Sequence, residues 1–161
     1  MQSKKLGWLV VSFFLASGAA EAQSQVACSI SPPEGWVQSA IRWEGPCPGG
    51  VADGLGVLKE YNGKDVTLIF YGLVKNGEVK FGVIEEAGGN YLASGNFEHG
   101  KVVVKGDEKS YDMETRNTKM SAYNTAGDAA EEVAKRFEKA GNKSSAQFYN
   151  AKAKSLREQW D

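Results

Sequence analysis

The sequence predicts an α+β protein: an antiparallel β-sheet of stacked hairpins followed by a C-terminal αα-hairpin. Three observations predict it. Glycine recurs at a near-constant interval through the middle of the chain, with β-branched and aromatic runs between. From Ala126 onward the apolar spacing becomes helical. The 161 residues are 42% hydrophobic and 24% charged, which suits one folded domain with a modest core.

The first residues read as an address. Lys4 and Lys5 precede the apolar run Leu6 to Ala16, and Ala20-Glu21-Ala22 places small residues where a signal peptidase reads them. This is the pattern of a secretory signal peptide over residues 1–22, cleaved after Ala22. The apolar run is shorter than the roughly 20 residues that span a bilayer. The expected location is therefore periplasmic or secreted. An exported chain meets an oxidising compartment, so Cys28 and Cys47 are expected to form a disulfide that ties down residues 23–40.

The repeat comes next. Trp43-Glu-Gly45 leads to Gly50, then to Gly54, Gly56 and Leu58. Phe70-Tyr71-Gly72 leads to Gly77, and Ala93-Ser-Gly95-Asn-Phe97 leads to Gly100. Gly72 and Gly95 are 23 residues apart, as are Gly77 and Gly100, whereas Gly45 and Gly72 are 27 apart. Asn76-Gly77 and His99-Gly100 sit where a tight hairpin needs positive φ. Glycine inside a strand implies that another group approaches closely. Gly45, Gly72 and Gly95 are each expected under an aromatic ring from a neighbouring hairpin.

Residues 41–105 resemble the MORN repeat family on these motifs. The aromatic-any-Gly head is carried by Trp43-Glu-Gly45, and the Gly-any-Gly-any-aliphatic tail by Gly54, Gly56 and Leu58. The second unit has Phe81 and Val83 in the tail-glycine positions, and the third has Ala93 for the leading aromatic. The resemblance implies a stack of β-hairpins serving as a contact scaffold. It implies no reaction and no cofactor.

Residues 106–123 are polar and mixed in charge, and read as a linker. Residues 124–161 read as a helical hairpin. Asp128-Ala-Ala-Glu131 and Ser144-Ser-Ala-Gln147 have capping-box spacing. Gly141-Asn142 breaks the run between the helices. Tyr149, Ala153, Leu156 and Trp160 form one stripe. Tyr149, Leu156 and Trp160 are candidates for helical docking of a partner.

The charge balance, 19 basic against 20 acidic side chains, offers no basic excess for nucleic acid. Two thiols and one histidine, His99, make an incomplete metal set. His99 and Asp53 both fall in turn signatures. Glu85 and Glu86 are neighbours on a strand and so face opposite sides of it. An open sheet has two faces and the helices cover one. The aromatics Trp43, Phe70, Tyr71, Phe81, Tyr91 and Phe97 are therefore the candidates for contact with a protein partner.

The expected function is that of an exported, non-enzymatic β-repeat scaffold binding a protein in the cell envelope. An immunity or inhibitor protein that neutralises a toxin or hydrolase is one concrete form. The alternatives are a membrane- or cell-wall-associated module using Lys75, Lys80 and Lys101 at the hairpin tips, and a hydrolase or transferase with a dispersed site. Unpaired sheet edges leave the oligomeric state open.

Overall fold

The computed structural model describes residues 28–103 and 113–160, with the backbone alone at Trp160. The expected signal peptide and residues 23–27 lie outside the described residues. Six strands follow in chain order, each antiparallel to the next: β1 (Ile41–Glu44), β2 (Gly54–Asn62), β3 (Asp65–Lys75), β4 (Glu78–Glu86), β5 (Tyr91–Glu98) and β6 (Lys101–Val103). Short connections dictate this order. Asn76 and Gly77 close β3 on β4 with φ of 50° and 77°, and His99 and Gly100 close β5 on β6 with φ of 48° and 79°. Positive φ at both central residues gives the turn whose twist matches that of the strands. The α+β class and both of these turns agree with the sequence reading.

The repeated glycines form a row across the sheet. Gly56 pairs with Gly72, Gly72 with Gly82, and Gly82 with Gly95. A Cβ at Gly72 would collide with the Phe81 carbonyl and the Gly82 Cα. The close approach of β3 and β4 therefore requires glycine there. The aromatic cover differs from the expectation. Trp43 lies over Gly45 and Phe70 over Gly72, each ring coming from two residues earlier in its own segment. Residues i and i+2 share a strand face, so an aromatic-any-Gly sequence covers its own glycine. Trp43 also reaches Gly56 on the neighbouring strand, and Gly95 meets a methyl of Thr118 instead of a ring.

Two helices follow: α1 (Met113–Lys139) and α2 (Lys143–Arg157). The first corrects the linker expected over 106–123, since residues 113–123 are helical. Met113, Glu114, Arg116, Asn117, Met120 and Ser121 are exposed, so the polarity of this stretch belongs to a solvated helix face. The capping box at Asp128 is also corrected. Asp128 and Glu131 lie inside α1, where Arg157 Nη2 approaches them at 2.6 and 2.7 Å. The cap of α2 is Asn142, whose side chain accepts from Ser145 N at 3.1 Å. Gly141, with φ of 76°, ends α1 as expected.

Both helices lie on one sheet face. Val57, Tyr71 and Val83 of the sheet pack there with Ala122, Ala126, Ala130, Val133, Tyr149, Ala153 and Leu156. Alanine at so many inward positions lets α1 approach both α2 and the sheet closely. The opposite face carries Leu58, Phe70, Val74, Val79, Ile84 and Phe97, packed with Ile30 and Ala52 and flanked by Trp36 and Trp43. Its cover is residues 28–40, an irregular segment without a long helix or strand. The sheet is thus the middle of three layers.

Candidate functional site

The N-terminal segment is positioned by the repeat itself. Ser29 N donates to Gly50 O at 2.8 Å, Ser31 N to Gly77 O at 2.6 Å, and Glu34 N to Gly100 O at 2.8 Å. These three carbonyls belong to the turn glycines that recur in the sequence. The segment therefore runs across the hairpin tips and returns over the sheet face to reach β1. Val37 N donates to Glu60 Oε1 at 2.7 Å, and Gln38 Nε2 to Ile30 O at 2.8 Å. A Cys28–Cys47 disulfide fastens its start, with the Cα atoms 5.9 Å apart. The expected disulfide is present.

This cover changes the standing of the aromatic candidates. Phe70 and Tyr71 do alternate between faces, but both are fully buried, because the face away from the helices is covered too. Phe97 is buried against Phe70, with ring centroids 5.5 Å apart and nearly perpendicular. Tyr149 and Leu156 are buried in the helix layer. These five residues hold the fold together and offer no free contact surface. Trp43 is half-buried and donates its Nε1–H to Pro46 O at 2.9 Å. Tyr91 is half-buried beside Tyr123, with centroids 5.1 Å apart. The Trp160 side chain lies outside the described residues. Among the described candidates, Phe81 lines an opening.

Between α2 and the sheet lies a polar network absent from the sequence reading. Lys152 Nζ sits 2.8 and 3.0 Å from the two carboxylate oxygens of the buried Glu85. Tyr149 donates its hydroxyl to Glu44, and Lys59 Nζ meets the other Glu44 oxygen at 3.0 Å. Lys152 also lies 5.8 Å from the Tyr71 ring centroid. Burial, and then the charge of Glu85, push the Tyr71 hydroxyl far above the usual phenol range. Burial, and then the charge of Glu44, do the same to Tyr149. Tyr123 is pushed up to about 12, chiefly by burial. All three phenols stay protonated near neutrality, so none is poised as a base. The network fastens α2 to β1, β2 and β4.

Asp53 has a structural task. Its carboxylate accepts from Asn76 N at 3.0 Å and from Lys75 Nζ at 3.3 Å, which braces the β3–β4 turn. The Asn76 amide, and then the Lys75 ammonium, hold its pKa below the usual value. His99 is an exposed turn residue at positive φ. Among the described residues no group of three His, Cys, Asp or Glu side chains converges on a point. Among the same residues no helix is long and apolar enough to cross a membrane.

The opening over Phe81 is a groove of about 450 Å³ between β4, β5 and the first turns of α1. Asn96, Met113, Glu114, Asn117, Thr118 and Ser121 complete its walls. Met113 is 79% exposed, and Met120, seven residues further along α1, is 41% exposed. The seven-residue spacing puts both methionines on one helix face. That spacing was visible in the sequence, within the stretch read as linker. Comparison with protein-family models, curated proteins and solved structures finds no match for this chain.

Proposed function

We propose that this chain is an exported, non-enzymatic scaffold of MORN-like hairpins that binds a protein partner in the cell envelope. The observation that carries the reading is the groove over Phe81, with Met113 in its wall. Its floor is aromatic, its walls supply amide, hydroxyl and carboxylate groups together with the exposed Met113, and a second exposed methionine, Met120, lies further along the same helix face. Methionine is unbranched and polarisable, and it adapts to the shape of an apolar partner. Asn96, Asn117, Thr118 and Ser121 can donate to and accept from a partner's main chain. The Cys28–Cys47 bond supports the envelope as the place of action.

Site-specific photo-crosslinking tests this. A photoreactive residue replaces Asn117 in the exported protein, and another replaces Lys64 in the β2–β3 turn as control. The expected result is a discrete heavier species from position 117 and none from position 64. Failure to form an adduct at 117, or equal labelling at both positions, would remove the reading.

A further inference from the structure

The two covers of the sheet are attached by different means. The helix layer is held by a continuous packed core of a dozen buried residues shared with β2, β3 and β4. The N-terminal cover places one buried large aliphatic side chain, Ile30, into its core, with Cys28 and Trp36 packed at the margin. Its other ties are backbone hydrogen bonds to Gly50, Gly77 and Gly100, one from Ala52 N back to Ser29 O, the bond from Val37 N to Glu60, an exposed Glu34–Lys101 ion pair, and the bond from Cys28 to Cys47. Cys28 and Cys47 are both partly exposed to solvent. The disulfide closes only the short stretch from the cover to the loop after β1, and it does not join the helix layer.

We propose that Cys28–Cys47 is a redox latch on this clasp, opened by a small dithiol. One reductant thiolate attacks a cystine sulfur, breaking the S–S bond and forming a mixed disulfide. The second reductant thiol displaces the protein sulfur, leaving two cysteine thiols and a cyclic oxidised reductant. Residues 28–40 then leave the hairpin tips and uncover Leu58, Phe70, Val74 and Phe97, while the helices stay on the opposite face. The clasp closes when the chain enters an oxidising compartment, and a reducing one reopens it. This inference stands apart from the groove and its partner.

Hydrogen exchange on the oxidised, exported protein, with and without dithiothreitol, tests the latch. On reduction, protection at the amides of Ser29, Ser31 and Glu34 is expected to fall by about tenfold or more. Protection at Val83 and the helical circular dichroism are expected to persist. An apolar dye is expected to bind the reduced form alone, and reoxidation to reverse both changes. Unchanged protection at the three amides would overturn the latch. So would loss of the helical signal on reduction, because the bond would then staple the whole fold. Cys28→Ser/Cys47→Ser, studied without reductant, must reproduce the reduced protein; a clasp that stays protected in that variant also overturns the proposal.

Discussion

The helix-covered and clasp-covered faces of one sheet bury similar strand residues by opposite strategies. On the first, two helices carry an alanine-rich stripe, and the core is continuous from Val57 to Leu156. On the second, an irregular segment hydrogen-bonds to turn carbonyls and relies on a covalent tie. The difference teaches that repeat periodicity can create two docking surfaces at once. Alternating side chains give each strand two faces, while the turn glycines align their carbonyls along one edge, where an extended segment can bind. Regular secondary structure is needed for only one of the two covers.

The largest expected effect breaks the helix face. Lys152→Met leaves Glu85 charged and unpaired beneath α2. Breaking a buried pair in this way costs about 3–5 kcal/mol, read as a lowered urea midpoint. Replacing both partners, Glu85→Leu with Lys152→Met, is expected to recover most of that loss. A single variant that unfolds at the native midpoint would show that the pair contributes little to fastening α2.

Truncation compares the faces directly. Leu156 is fully buried among helix and sheet side chains, so Leu156→Ala is expected to cost about 3 kcal/mol, within the range for core leucines. Ile30→Ala removes the main aliphatic anchor of the clasp, where irregular backbone can relax into the space. A cost near the low end of that range, about 2 kcal/mol, is expected. Hydrogen exchange sharpens the contrast. Ile30→Ala should loosen Ser31 and Glu34 selectively, whereas Leu156→Ala should lower protection throughout α2. Equal and global loosening by both would merge the two faces into one cooperative unit.

Legibility in the sequence followed the range of the interactions. The hairpins were readable because a turn is decided by two adjacent residues, as at Asn76-Gly77 and His99-Gly100. The Cys28–Cys47 bond was readable because two cysteines leave one pairing within the chain. The second cover was not. Residues 28–40 have no period, and their backbone partners Gly50, Gly77 and Gly100 lie on three separate turns. Phe70 and Tyr71 therefore looked like surface candidates when both are core. The first half of α1 was lost for another reason. Its exposed side is polar, and the inward Ala122 and Tyr123 appear only at the end of the stretch. The groove over Phe81 was lost with it. Glu44 and Tyr149 stand 105 residues apart, and no local pattern announces such a pair.

Tyr71→Phe probes the helix face with a smaller change. The Tyr71 hydroxyl is buried without a hydrogen-bond partner, so it gives up hydration for nothing in return. Removing it keeps the ring in contact with Val57, Val83 and α1. The expected result is a stability equal to the parent or higher by about 1 kcal/mol, measured by urea unfolding. A loss of more than about 1 kcal/mol would reveal a partner for the hydroxyl, such as an ordered internal water.

The smallest effect lies at the hairpin tips that the clasp uses. Asp53 braces the turn whose Gly77 carbonyl accepts from Ser31. The Asn76 amide and the Lys75 ammonium depress its carboxyl pKa in the folded chain. A depressed folded value means that the folded state favours the ionised form. The resulting stabilisation is complete above the unfolded carboxyl value, about 3.9. It is lost as pH falls through the lower folded value. Asp53→Asn removes this linkage while preserving shape and one acceptor oxygen. The parent's urea midpoint should thus fall more steeply below about pH 4 than the variant's, and above that pH the two curves should run parallel. The carboxylate is solvent-exposed, so added salt should narrow the gap by screening the Lys75 contribution. Salt should leave the part due to the Asn76 amide in place. Identical acid limbs for the two proteins would mean that the turn holds its shape, and the clasp its docking edge, without help from Asp53.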